Sequence, residues 1–223
     1  MGQDCDIMVA KHNVSRKDQD LFAKRSHDNA EKAWEAGHHQ KEVVPVEIEP
    51  DFKMIKKDNG IRSGTPIEKL TKLKPAFDKK HGTLTAANSS FLTDGSAVCL
   101  IMTESKAKEL GFTPKAEIVD YCFTGQRLED ELLLGPAYAM SKVLDQTKLS
   151  LNDIDVFEIH EAFAGQVLTN IKCLADDEFC KIELQKEKPV GEIDINKVNK
   201  WGGSLSIGHP FGATGARLLT TAA

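Results

Sequence analysis

Five cysteines in 223 residues, an odd number without framework spacing, exclude a disulfide scaffold and read as reduced thiols. Cys173 and Cys180 lie seven positions apart. With no further thiol or histidine at ligand spacing, the pair reads as packing rather than as half of a zinc site. No apolar run approaches the roughly 20 residues that a bilayer-spanning helix needs. The first residues do not show the succession of basic, apolar and small residues that marks a secretory signal, which by itself decides little about location. Positive charge is not in excess. Lys and Arg number 29 against 34 Asp and Glu, a net charge of -5, so nothing attracts nucleic acid in general, although a local basic patch can still meet a phosphate.

What is present is 40% hydrophobic residues, enough for a sizeable core in one large domain or two small ones. Ser15 followed by Asp18 predicts a helix N-cap. Leu21, Phe22, Ala30, Ala33 and Trp34 give that helix an apolar face, and Gly37 stops it. His12, His27, His38 and His39 read as solvated or capping residues. Residues 42–57 alternate apolar and polar around Pro45 and Pro50, which predicts short strands, and Asp58-Asn59-Gly60 predicts a turn. The lysines of residues 53–80 read as a solvated basic face.

From Thr83 the residues become small and hydroxyl-rich, as ordinary turns do and as a segment approached closely by a ligand does. A buried strand is predicted over residues 97–102, then a helix capped by Thr103 and ended at Gly111, with a domain boundary between 111 and 115. The second half predicts an α/β alternation. Residues 116–123 read as a strand, residues 135–146 as a helix opened by Pro136, and residues 155–159 as an apolar strand running into His160 and Glu161. Phe163, Val167, Leu168 and Ile171 would form the buried face of the following helix. Residues 176–200 are charged and aperiodic and read as an excursion.

His160-Glu161 is not a zinc-protease signature, since the second histidine of HExxH is replaced by Ala164. A His-Glu pair at a helix start is a capped structural pair or, where an α/β strand ends, part of a site. Residues 201–217, WGGSLSIGHPFGATGAR, pack five glycines around one His-Pro step. Taken alone, that is either a turn with a surface histidine or a loop that holds the imidazole of His209 beside a ligand.

GGSLSIGHPFGATGAR resembles the strand, loop and helix that carry the active histidine of thiolases. HEAFAGQVLTN at 160–170 and LTAANSSFLTDGSA at 84–97 resemble two further signatures of that family, in the family's order. HEAF in place of NEAF is similar to the trifunctional branch, the beta subunits that act with a hydratase/dehydrogenase alpha subunit. The resemblance implies an α/β fold of thiolase-like layered αβαβα type, only partly present. Residues 1–91 would be the rear of the loop domain that covers coenzyme A, residues 92–112 the closing strand and helix of the N-terminal half, and residues 113–223 an incomplete C-terminal half.

By the same resemblance, His209 activates a nucleophilic cysteine and, with His160, donates to the thioester oxygen, while Glu161 orients its neighbours. Arg62 packs on adenine, Ser90 and Met1 lie near the pantetheine arm, and Phe163 is counted with the substrate-binding residues. None of Cys5, Cys99, Cys122, Cys173 or Cys180 stands in the context of either family cysteine. The chain is therefore expected to be an internal portion of a longer enzyme. The implied activity is 3-ketoacyl-CoA thiolysis in mitochondrial β-oxidation, with coenzyme A as substrate and neither metal nor other cofactor. A homodimer, a complex with the alpha subunit, peripheral membrane association and no nucleic acid are the implied partners. A noncatalytic acyl-CoA-binding relative and a biosynthetic acetyltransferase are the alternatives.

Overall fold

The computed structural model describes residues 1–129 and 131–223. Two helices open the chain, α1 (Gly2–Lys11) and α2 (Arg16–Glu35). As the sequence predicts, the Ser15 hydroxyl accepts from the Asp18 N–H at 3.1 Å, and the chain reverses at Gly37 with φ +79°. Phe22, Ala23, Ala30, Ala33 and Trp34 are the buried apolar stripe of α2. Leu21 faces solvent instead, because consecutive helical residues point about 100° apart and Phe22 takes the inward direction.

An antiparallel hairpin follows, β1 (Val46–Ile48) and β2 (Lys53–Ile55), with Val46 opposite Ile55. The short helix α3 (Ile67–Thr71) packs on α2. Helix α4 (Glu104–Glu109) has Thr103 as its cap and ends before Gly111, at φ +73°. Then come α5 (Gly135–Thr147), with Pro136 in its first turn, α6 (Ala164–Ala175), α7 (Asp177–Ile182), α8 (Ser204–Ile207) and α9 (Thr214–Ala222).

Helix α6 is the centre of the core. Helices α1, α2, α5 and α7 all pack against it, and Cys5, Met8, Val9, Phe22, Val167, Leu174, Phe157, Ile159 and Leu205 form one buried cluster. Of the four residues expected on its buried face, Phe163 and Val167 are buried, while Leu168 and Ile171 are only partly covered. Cys173 and Cys180 are buried free thiols, as expected of packing residues.

Several local expectations fail. Residues 97–102 and 116–123 form neither helix nor strand and pair with no neighbouring backbone among the described residues, with Val98, Leu100, Val119 and Phe123 exposed. An apolar run becomes a strand only where neighbours accept and donate its backbone bonds, and none is present beside these two segments. Residues 155–159 make a single parallel bridge, Phe157 to Val198, instead of a full strand. The charged stretch 176–200 is not a plain excursion. Asp176 accepts from the Phe179 N–H at 2.7 Å and starts α7. His39 is buried, 5% exposed, and its Nε2 lies 2.9 Å from the Trp201 carbonyl, while His38 stacks on the Trp201 ring at 4.5 Å.

The three sequence signatures converge. Asp6 on α1 accepts from the N–H groups of Thr83 and Leu84, and Asn88 donates to Asp20 on α2 at 3.0 Å. The stretch so anchored runs antiparallel to the second signature: the Ser90 N–H donates to the Ala162 carbonyl and the Ala164 N–H to the Asn88 carbonyl, each at 2.9 Å.

Candidate active site

Two loops bring the imidazoles of His160 and His209 together, with ring centroids 4.0 Å apart. His160 follows directly on the bridge between Phe157 and Val198, where the backbone leaves its extended course. His209 follows Gly208, whose φ of +93° is the left-handed region that glycine tolerates. A Cβ there would also run into the Thr93 side chain. After it, the Pro210 carbonyl accepts from the N–H groups of Ala213 and Thr214 and so turns the chain into α9.

Each ring is held at Nδ1. His160 Nδ1 lies 2.9 Å from Ser204 Oγ and His209 Nδ1 lies 2.7 Å from Thr214 Oγ1. The two hydroxyls differ in what else they do, and this assigns the tautomers. With the Thr214 hydroxyl turned to the Pro210 carbonyl, 3.1 Å away, His209 carries its proton at Nδ1 and keeps a lone pair at Nε2. Ser204 is fully buried, and with its hydroxyl turned to His160 Nδ1 that ring keeps Nε2–H as a donor. In these tautomers the pair presents one proton acceptor and one proton donor.

Both rings are held neutral. Burial, then the neighbouring His209 and Arg217, lowers His160 to about 4, and burial followed by Arg217 also lowers His209. Arg217 lies 3.5 Å from Glu158, whose carboxyl burial raises to about 7.

Glu161 faces away from the rings. Fully buried, it accepts from Ser26 Oγ at 2.7 Å, Asn199 Nδ2 at 2.6 Å and the Leu205 N–H at 3.1 Å. Burial pushes its carboxyl upward, and these hydrogen bonds oppose the shift. Gly203 passes so close that any Cβ would overlap the carboxyl. Glu161 thus staples the His160 segment, α2 and the glycine-rich loop to one another.

The remaining candidates are spread out. Ser90 is tied by its N–H to Ala162, two residues beyond His160. Phe163 is 8% exposed and packs edge-on against Phe77 at 5.7 Å, as a core ring does. Met1 is exposed, with its amino terminus paired to Asp4. Arg62 is exposed too. Its Nη1 donates to the carbonyls of Asn59 and Ile61, and its N–H to His27 Nδ1. Arg62 lines an open cleft with Thr93, Gly208, Pro210 and Arg217. At about 2950 Å³ that cleft far exceeds the roughly 300–1,000 Å³ of a small-molecule pocket, so it is an uncovered face rather than a closed site. Sequence reasoning missed Ser204, Thr214 and Asn199. Only Thr214, one turn past His209, left a local signal. Among the described residues no group of three or more His, Cys, Asp or Glu could hold a metal ion.

The neutral histidines imply an acid-sensitive fold. His27, half-buried and beside Arg62, also sits at about 4, against 6.5 when unfolded. Folded pKa values below the unfolded ones give stability that is present above pH 6.5 and lost as pH falls toward 4, because the unfolded chain takes up protons that the native one refuses. Glu158 acts in the opposite sense between 4.5 and about 7. The urea midpoint should fall between pH 6.5 and 4, and His27→Asn should flatten that fall. An unchanged slope in the variant would remove His27 from this account.

The Thiolase, N-terminal domain model matches residues 1–105 and the Thiolase, C-terminal domain model residues 112–223. The chain is 53% identical to "Probable 3-ketoacyl-CoA thiolase" of Caenorhabditis elegans, covering 100% of this chain and 50% of that protein. It is 49% identical to "Trifunctional enzyme subunit beta, mitochondrial" of Rattus norvegicus, covering 100% and 46%. The solved Bacillus anthracis acetyl-CoA acetyltransferase superposes with TM-score 0.84 at 40% identity, over 100% of this chain and 52% of that one. The chain thus spans about half the length of the relatives it matches. The two domain matches together take in nearly all of its residues, including the histidine pair and the unpaired segments at 97–102 and 116–123, and the chain belongs to the thiolase family.

Proposed function

We propose that these residues serve 3-ketoacyl-CoA thiolysis in degradative fatty-acid metabolism, as part of a protein that supplies the nucleophilic cysteine from outside them. The observation that carries this reading is the pairing of two imidazoles within 4.0 Å, each held at Nδ1 by a hydroxyl. His209 Nε2 takes the proton of the cysteine thiol, and the thiolate attacks the 3-keto carbon. The bond between C2 and C3 then breaks, its electron pair passes into the acetyl-CoA enolate, and the shortened acyl group stays on sulfur. His209, now protonated at Nε2, joins the Nε2–H of His160 in donating to the thioester oxygen, where negative charge collects. The second family cysteine, also from outside these residues, gives its proton to the enolate and frees acetyl-CoA; it then takes the thiol proton of a second coenzyme A, whose sulfur attacks the acyl carbon, and the cysteine sulfur expelled recovers the proton held at His209 Nε2.

Neutral rings suit this role. A histidine already charged could not accept the thiol proton, and water-poor surroundings strengthen both hydrogen bonds. Coenzyme A is a substrate here, and the steps call for no metal. In this reading residues 1–91 belong to the part that covers coenzyme A, residues 92–112 close the first half, and residues 113–223 belong to the second. Similarity to the rat mitochondrial subunit supports mitochondrial residence and a place in a complex, for which the family resemblance implies a hydratase/dehydrogenase alpha subunit, and similarity to a dimeric thiolase supports a homodimer. The test is release of acetyl-CoA from a 3-ketoacyl-CoA and free coenzyme A by the longest natural polypeptide carrying these residues. No release from a folded sample would refute the reading.

Arg62 contributes at the far end of the substrate, where an exposed guanidinium can lie on adenine and meet phosphate. In that same polypeptide, Arg62→Ala should weaken coenzyme A binding by about 0.5–2 kcal/mol and leave acyl-chain preference alone. Calorimetry showing unchanged affinity would remove Arg62 from the site.

A further inference from the structure

Asn199 is fully buried, stands at φ +44°, and uses every polar atom it has. Its backbone N–H donates to the Phe157 carbonyl at 2.9 Å, and its own carbonyl accepts from the Gly202 N–H at 3.0 Å and from Asn29 Nδ2 at 3.2 Å. Its side-chain oxygen accepts from the Ile159 N–H and its Nδ2 donates to the Ile159 carbonyl, both at 2.8 Å. The same Nδ2 donates to Glu161 Oε1 at 2.6 Å.

The parallel bridge between Phe157 and Val198 would need a further peptide group to continue past Ile159. The backbone cannot supply it, because at Asn199 it turns into the left-handed region and heads for Gly202. The carboxamide supplies it instead, with one acceptor and one donor facing Ile159 as a strand neighbour would have. We propose that Asn199 is a positioning residue for the imidazole pair. It clamps the residue before His160 and, through Glu161, ties that position to the loop carrying Ser204 and His209. Glu161 reaches the loop at the Leu205 N–H, next to the serine that holds His160. One amide therefore sets the place of both rings without touching either.

Alanine at 199 would leave the Ile159 N–H and carbonyl and one Glu161 oxygen without partners inside the protein. Aspartate has the same shape but no donor, and would set a second carboxylate against Glu161. The kinetic arm of the test rests on the thiolysis reading and the spectroscopic arm does not. In the longest natural polypeptide carrying these residues, Asn199→Ala should lower kcat at least about tenfold with KM little changed, since displacing a ring by a fraction of an ångström disrupts alignment more than binding. Leu174→Ala, at the far end of α6, is the control for lost stability: at equal loss of Tm it should leave kcat per folded molecule unchanged. Imidazole nitrogen resonances of His160 and His209 should shift in Asn199→Ala and stay in place in Leu174→Ala.

If Asn199→Ala does not fold, Asn199→Asp decides by the same readouts. A kcat loss no larger than that of Leu174→Ala, with unmoved imidazole resonances, overturns the proposal. If the unaltered protein shows no thiolysis, the thiolysis reading falls and the resonances alone decide: selective shifts sustain the positioning role, unmoved ones end it.

Discussion

The 223 residues alone should release no acetyl-CoA from a 3-ketoacyl-CoA, while a longer polypeptide containing them turns over. Thiolysis needs a thiolate within attacking distance of the keto carbon, and among the described residues no cysteine hydrogen-bonds to either imidazole of the pair. Burial raises the Cys5 thiol far above its ordinary range and pushes Cys173 up to about 12, where thiolate is scarce at neutral pH. Cys180 is buried and donates to the carbonyls of Cys173 and Leu174. Cys99 sits in the unpaired segment 97–102, and Cys122, in the other, donates to the Ala139 carbonyl. The histidines can polarise a thioester but cannot form the acyl-enzyme. The measurement is acetyl-CoA release by the purified chain beside the longer polypeptide. Turnover near that of the control, with contaminating thiolase excluded, would break the assignment of the nucleophile to residues outside these 223.

The second large effect separates the two histidines. In the longer polypeptide, His209→Asn should lower kcat by about 10²–10⁴, the range lost when a proton-transferring side chain is removed. Asparagine can donate where the imidazole donates, but it cannot take a thiol proton. His160→Asn should cost much less, because with Nδ1 taking the Ser204 hydroxyl His160 acts as a donor, and a carboxamide N–H can stand in for Nε2–H. The pH–rate profile offers a second check: the acid limb belongs to His209 and should persist in His160→Asn. Equal losses in the two variants would overturn the division of roles that the hydrogen bonds assign.

How much of this was legible before folding depended on how far apart the interacting residues lie. Helix α2 could be read from Ser15, Asp18 and Gly37 because cap, stripe and stop are neighbours in sequence. Helix α7 carried an equally local cap at Asp176, hidden by the surrounding charges that blurred its periodicity. The segments at 97–102 and 116–123 show the other limit. Their composition suits strands, yet pairing depends on groups distant in sequence, which composition cannot place. His39 looked solvated because the Trp201 carbonyl it meets lies 162 positions away. The signature around His209 pointed to the site at once through its resemblance, while Ser204 and Asn199, which fix tautomer and register, left no mark that differs from any serine or asparagine in a loop.

The run between the two halves bears on the integrity of the covalent chain. None of the residues from 98 to 129 belongs to the buried cluster around α6. The contacts that unite the first signature with the other two, from Asn88 to Ala164 and from Thr93 to Gly208, lie outside that run as well. A single peptide cleavage within it would therefore divide the sequence without dividing the core, and the two pieces would stay associated through α1, α2 and α6 as though the bond were still there. Covalent continuity across this run and the packing that sets the histidine pair are separate properties of the molecule.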